Sequence, residues 1–526
     1  MNTKTIAYIL ASSAMITVSC INLDTEPYGS TITADQKSEA VRNDPSKASA
    51  SVAAIFSAFS KYGQISGETM HADYGYPSIM LYLDSRGTDM TADLIGYNWY
   101  KDPLTFEDCL STASPTAIYW GTMYKQIYAC NSVLSSIDAN TDDTNLQFYL
   151  AQAHAVRAFD YFTLAQLYQF TYKGHENEPG LPLITQDNAS EVAQDGIERS
   201  SLTETYNLIL SDIDRAVELL ENCRVKRSDK RYVSLEVAYG IRAKIKLVLQ
   251  DWEGAASDAL AAIEGSTAVP YTIDELKRPI FTDISENSWM WGVLISPTDR
   301  VSTTVICNFP SHMGSFSYGY SSVGAWRRCS IKLFDEIPES DVRKGWFLDD
   351  TGVSDHLTAA EISYLSAKGA SAYTQVKFGT NDGQLASTDN SNDFPLVRIE
   401  EMYLVRAEAL TMAGKAEEGA SVLEDFVRNY RNPSYSASSD SVEMLRDEIW
   451  QQRRIEFWGE GLSWFDIMRL EKGVDRRGHG FPAAAVMNIP AGSQALVYRI
   501  PQSEEQYNNK LVNNPSVAVP SPVKDE

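Results

Sequence analysis

Two stretches of this chain read as paired antiparallel helices, and that pattern limits the fold more than any other feature of the sequence. From 237 to 248 apolar residues recur at helical spacing. After Gln250-Asp251 a second set follows at Trp252, Ala255, Ala256, Ala259, Leu260 and Ile263. Small inward residues let two helix backbones approach closely. The arrangement returns at 399–414 and 416–430, where Ala420, Leu423, Val427 and Tyr430 fall on one face. A lone helix pair leaves an apolar face uncovered. The pattern therefore predicts a stack of pairs in the manner of tetratricopeptide repeats.

The rest of 44–263 extends this reading. Val52, Ile55, Phe56 and Phe59 mark one amphipathic face, and Trp120, Met123, Tyr124, Ile127, Leu134 and Ile137 mark another. A long helix carries Phe148, Ala151, Ala155, Phe159 and Phe162 inward. Ser201-Leu202-Thr203-Glu204 fits a capping box, which opens a helix with Tyr206, Ile209, Ile213, Val217 and Leu220 buried. The expected fold is mostly α, with about four helix pairs. The helical scaffold is expected at about 44–263 and 394–470, and a loop-rich, irregular insertion at about 272–393.

Residues 446–469, RDEIWQQRRIEFWGEGLSWFDIMR, crowd five large aromatics beside both signs of charge. Glycines 459 and 461 predict a break between two helices. Glu456 falls on an otherwise apolar helical face, where a charge needs a partner, and Arg453 three residues earlier is the expected one. A buried clamp joining the two helices is the expected role, rather than a catalytic acid.

Several function classes drop out on composition. The formal net charge is −25, so like-charge repulsion opposes binding to nucleic acid or an anionic membrane surface. No CxxC pair, HExxH, P-loop or glycine-rich dinucleotide fingerprint occurs, so neither a metal nor a cofactor is expected. Six cysteines are too few for a disulfide scaffold in 526 residues, although Cys307 and Cys329 remain a possible pair. The segment 388–393 is rich in oxygen ligands but lacks the turn glycine and distal Glu of a calcium loop; it reads as a polar surface loop.

Residues 1–19 have the form of a secretory signal, with Lys4 before a short apolar run. Thr17-Val18-Ser19-Cys20 resembles a bacterial lipobox, with Thr17 in place of the usual Leu. Cys20 is then the acylated first residue of the mature protein, and acyl chains anchor it without a transmembrane helix.

Two regions depart from the helical pattern and suit a ligand. In the first, 74–108, Asp84, Arg86 and Asp89 lie near Tyr97, Asn98 and Trp99, with glycines between them. Sugars present apolar C–H faces to flat aromatic rings and hydroxyls to Asp, Asn and Arg. In the second, the insertion, Trp289 and Trp291 lie two apart, so a strand would place both on one face as an aromatic platform. Tyr320 and Trp326 stand among glycines and serines, which points to exposed loop.

RRIEFWGEGLSWFDIMR resembles the C-terminal signature of the SusD/RagB family. RIEEMYLVRAEAL at 398–410 resembles the family's preceding helix, and YRIPQSEEQYNNKLVNNP at 498–515 its closing segment. The resemblance implies a SusD-like domain over 20–526, on the cell surface and lipid-anchored in the outer membrane. Asp24 and Glu26 after Cys20 resemble the surface-export signal of such lipoproteins. It further implies an oligosaccharide ligand, a SusC-like TonB-dependent transporter as partner, ligand contacts in both non-helical regions, and no catalysis. RagB-type relatives imply peptide cargo as an alternative. A glycoside hydrolase would need two carboxylates across the scissile bond, and no catalytic motif accompanies the acidic residues.

Overall fold

Side-chain caps start several of the long helices. The computed structural model describes residues 34–67, 71–437 and 441–526; the leader, Cys20, Asp24 and Glu26 lie outside them. Helix α1 is Ala48–Ser57, α2 Tyr76–Arg86, α3 Ser114–Ser136, α4 Thr144–Tyr168, α5 Leu202–Cys223, α6 Leu235–Leu249 and α7 Trp252–Gly265. Within the insertion lies α8 (Phe309–Met313), and after it come α9 (Ile399–Met412), α10 (Ala416–Tyr430), α11 (Val442–Glu456) and α12 (Ser463–Arg469). Asp143 accepts from the backbone N–H groups of Asn145 and Leu146 and so caps α4. The Ser201–Glu204 capping box opens α5. Gln250, at φ 61°, makes the tight turn between α6 and α7, and Asp251 caps α7 through the Gly254 N–H.

The helices stack in order. Helix α3 packs on α4, α4 on α5, α5 on α6 and α6 on α7; α7 then meets α9, which pairs with α10. The array therefore continues across the whole insertion, joining helices far apart in sequence. Helix α4 is covered on all sides over its last thirteen residues, from Val156 to Tyr168, and forms the axis of the core.

Strands are few and short. β2 (Trp289–Val293) pairs antiparallel with β4 (Phe394–Arg398), with Trp289 opposite Arg398. This ribbon is the neck of the insertion, which leaves the scaffold at one strand and returns at the other. β1 (Met90–Thr91) pairs with β3 (Arg328–Cys329), and β5 (Val474–Asp475) with β6 (Asn488–Ile489).

Trp289 and Trp291 do lie on a strand, but they are no exposed platform. Both are fully buried. The Trp291 ring meets Phe159 edge-on at 5.0 Å and Phe59 at 5.6 Å, and its Nε1 donates to the Arg231 carbonyl at 2.8 Å. Trp289 Nε1 donates to Tyr271 Oη at 2.8 Å. Large apolar area with one satisfied N–H is what fixes the neck to the helices.

Beneath the neck lies a buried ion network. Glu456 receives Arg431 at 2.6 Å, Arg398 at 3.1 Å and Arg343 at 3.3 Å. Glu460 receives Lys377 at 2.6 Å and Arg398 at 2.8 Å. Glu400 receives Arg398 and Arg431, each at 3.1 Å, and Asp341 receives Arg343 at 2.6 Å. Four cations thus face four carboxylates. Burial alone would push the Glu456 carboxyl up, but the three guanidinium groups outweigh it and hold it far below its ordinary range.

The expected partner of Glu456 was Arg453, and that is corrected. Arg453 turns instead to Asp466 of α12 at 2.7 Å and to Glu401 at 3.5 Å. The helix break between them is as expected: Gly459 and Gly461 take φ values of 85° and 82°, and a Cβ on Gly461 would lie 2.5 Å from Met80 Cβ. The possible Cys307–Cys329 bond is absent; all five described cysteines are free thiols.

Removing Arg398 from this buried network leaves its three carboxylate partners with one positive charge too few. Arg398→Met is expected to destabilise the fold by about 3–5 kcal/mol, read as a fall in the denaturant midpoint. An unchanged midpoint would show that Arg398 is dispensable to the network.

Candidate functional site

The loop after α2 presents two aromatic rings by burying the residue between them. Asn98 is 1% exposed; its Nδ2 donates to the Asp93 carbonyl at 2.9 Å and its Oδ1 accepts from the Tyr100 N–H at 3.0 Å. That anchor turns Tyr97 and Trp99 outward, 58% and 42% exposed. Asn98 is therefore a support for the rings on either side of it.

Tyr320, from the insertion, comes to the same place. Its ring lies 6.0 Å from Tyr97 in a stacked arrangement and 6.2 Å from Trp99 at 77°. His71 stacks on one face of Trp99 at 4.3 Å and 16°, and meets Tyr320 edge-on at 5.0 Å. Below Tyr320, His312 of α8 stacks at 5.2 Å and 9°, and Tyr74 stacks on His312 at 6.3 Å and 7°. Four rings thus run in a column, Tyr97–Tyr320–His312–Tyr74, from the surface into the core. Cys307 Sγ lies 3.3 Å from His71 Nδ1, and burial pushes the thiol up and the imidazole down from their ordinary values.

Such a patch can hold a ligand by its apolar faces. Trp99 has one ring face covered by His71 and remains partly exposed, and the ring of Tyr320 stands nearly perpendicular to it. Among the described residues no group of three His, Cys, Asp or Glu side chains is placed to hold a metal ion.

The other expected site residues lie elsewhere. Asp84 is 4% exposed and accepts from the Gly461 N–H at 2.9 Å, so it braces the glycine break. Asp89 is equally buried and receives Arg454 at 2.6 Å and Ser463 Oγ at 3.3 Å. Arg86 is fully buried, pairs with Asp108, donates to the Ala495 carbonyl at 2.6 Å and lies against the rings of Phe106, Trp464 and Tyr498. Trp326 packs with Phe316, Leu348, Leu365 and Val376. Asp84 and Arg86 lie on α2 rather than in a loop, and with Asp89 they find partners far along the chain at Gly461, Ala495 and Arg454; the glycine-rich setting of Trp326 hides a small separate core. Residues 390–393 are buried too: Asp393 accepts from the N–H groups of Ile284 and Ile295 at 2.8 and 2.6 Å, which ties the neck.

His71, His312 and Arg327 at the patch were missed. A single histidine in an apolar run, as in Phe309-Pro310-Ser311-His312-Met313, carries no signal of its own. Only the fold sets it beneath Tyr320.

Comparison with known proteins bears on what this arrangement is for. A family model described as starch-binding, associating with the outer membrane, matches residues 51–247, and the model of the SusD family matches residues 351–516. The chain belongs to the SusD/RagB family. A SusD-like protein of Formosa agariphila is 25% identical over 68% of this chain and 72% of its own length. A SusD-like protein of Bacteroides ovatus is 21% identical over 75% of this chain and 72% of its own. Among solved structures, a SusD-like carbohydrate-binding protein of Bacteroides vulgatus shares the fold with a TM-score of 0.73, at 22% identity, covering 89% of this chain and 97% of that one. A SusD superfamily protein of Bacteroides thetaiotaomicron does so at 0.69 and 20% identity, with coverages of 90% and 99%. SusD-like proteins are described as binding proteins associated with the outer membrane. Among the described residues no helix is long and apolar enough to cross a membrane.

Burial raises the Asp84 carboxyl to about 8, against about 3.9 in an unfolded chain, and the Gly461 N–H and Lys377 only partly offset this. The folded state then holds a proton that the unfolded state releases. The stability this confers is full below pH ~4 and is lost as pH rises to ~8. Asn cannot ionise, so Asp84→Asn is expected to gain in thermal midpoint over the parent protein across that window and to level off above it. A constant difference from pH 5 to 9 would contradict this assignment.

Proposed function

We propose that this SusD/RagB-family protein captures oligosaccharides at the cell surface and passes them to a partner TonB-dependent transporter, without chemistry of its own. The observation that carries the reading is the meeting of Tyr97 and Trp99 with Tyr320, from segments more than two hundred residues apart, in one exposed aromatic patch. Aromatic side chains are normally covered; a patch built from separate segments and backed by stacked histidines is a surface prepared for a ligand. The description of relatives as carbohydrate-binding favours a sugar on it. The lipobox-like Thr17-Val18-Ser19-Cys20, with Asp24 and Glu26 after it, supports a lipid anchor at Cys20 and surface display. The transporter partnership rests on the family alone.

Stacking supplies modest energy per sugar, so affinity at the isolated site should be weak to moderate. Confinement at the membrane and the transporter would add to it by effective concentration.

A glycan-panel titration on the form beginning after Cys20 tests the reading. Trp99→Ala is expected to weaken binding about tenfold, near 1.4 kcal/mol, with the ligand recovered intact. Trp289→Ala is expected to lower the thermal midpoint instead, because it cuts a cavity of roughly 3–5 kcal/mol into the neck. Glycan affinity indifferent to Trp99 would remove the patch from the mechanism.

A further inference from the structure

An unsatisfied cation lies behind the patch, joined to it through His312. Arg327 is 1% exposed, and its guanidinium makes one hydrogen bond, from Nε to the His312 carbonyl at 3.2 Å. Nη1 and Nη2 are buried with no partner among the described residues, and the group lies 5.4 Å from the centre of the Tyr100 ring. Arg476 shows how this fold otherwise treats a buried guanidinium without a carboxylate. It donates to the carbonyls of Gly87, Leu104, Ala485, Ser85 and Arg86 at 2.6–3.3 Å. Arg327 has no such cradle. A buried charge left without an acceptor is strongly unfavourable, so an acceptor belongs to the functioning state of this group.

Other buried polar groups gather beside it. His312 is fully buried, with the backbone of His71 and Ile306 as its polar neighbours, and the Ser311 hydroxyl is unpaired. Burial holds the His312 imidazole well below its ordinary value, so at neutral pH it offers one N–H and one acceptor. The His312 ring lies one layer beneath the exposed patch, because Tyr320 stacks directly on it. The chain carrying these groups, 311–327, is the same chain that carries Tyr320.

We propose that the ligand of the aromatic patch is an acidic glycan, and that Arg327 with His312 receives the carboxylate of a uronic acid residue beneath Tyr320. This rests on the reading of the patch as a glycan site and adds the substrate class. A guanidinium with two free amino groups matches a carboxylate in a fork-to-fork pair. Tyr320 is the barrier. It sits between Gly319 and Gly324, the latter at φ 106°, and ring contacts with His71, Tyr97, Trp99 and His312 hold it. Displacing that one ring opens the way to His312, whose carbonyl holds Arg327. The net charge of −25 does not oppose this step, since charges across solvent are screened within ~8 Å while a contact pair in a buried site is not.

The test is calorimetric titration of the chain beginning after Cys20 with short oligomers of galacturonate, glucuronate and mannuronate. Each is paired with its fully methyl-esterified form. At least one acid is expected to bind about tenfold or more tighter than its ester, as a charge-assisted pair requires. Arg327→Met should abolish the difference, and Trp99→Ala should weaken acid and ester alike. The thermal midpoint of Arg327→Met is read alongside; if that variant fails to fold, the acid–ester comparison on the unaltered protein still decides. Neutral sugars bound at the patch with no acid preferred over its ester would overturn the proposal and leave the glycan reading standing. No binding of any saccharide, acid or neutral, would overturn both.

Discussion

The ion network under the neck is the interaction on which the rest of the molecule depends. Arg398 alone touches Glu400, Glu456 and Glu460, so it joins the end of β4, the start of α9 and the turn after α11. Lys377 adds the insertion, donating to the carbonyls of Glu456 and Trp458 as well as to Glu460. Such a cluster brings little net stability over apolar packing, since desolvation offsets most of the attraction. What it adds is discrimination: any other docking of these segments leaves charges buried and unpaired. Two of the three motifs that carry the resemblance to the SusD/RagB family, 398–410 and 453–469, supply Arg398, Glu400, Glu456 and Glu460 to this network and all of its neighbour, in which Arg469 meets Glu408 at 2.6 Å and Asp466 at 2.8 Å.

Much of the scaffold was legible because helices announce themselves locally. The capping box at Ser201 and the turn at Gln250-Asp251 need only nearby residues, and the apolar periods of α4, α5 and α10 agree with their buried faces. The charges were not legible in the same way. Glu456 needed a cation, but which one depended on residues 343, 398 and 431, and those come together only after the insertion has folded back. The neighbouring Arg453 had a better partner across the helix break.

The candidate site was half legible for a related reason. Composition identifies segments in which aromatics keep company with glycine and polar residues, but it does not say which side of the segment faces water. Tyr97, Trp99 and Tyr320 share the patch, whereas Trp289, Trp291 and Trp326 serve as core. Asn98 decides the first case, since its two backbone hydrogen bonds hold the loop with its neighbours outward. The histidines behind the rings had no sequence signal, yet they back the patch: each of its exposed rings rests on another ring.

The neck has a consequence for how such a protein changes over time. The insertion departs and rejoins on paired rungs of one short ribbon, with Val293 opposite Phe394. Its ends are therefore held together whatever lies between them, and lengthening the intervening chain costs only slowly more in closure entropy. The helical array and its tryptophan anchors tolerate that change, provided Asp341, Arg343 and Lys377 of the insertion still reach the ion network. The outer turns of the insertion can vary while the base that holds them stays the same.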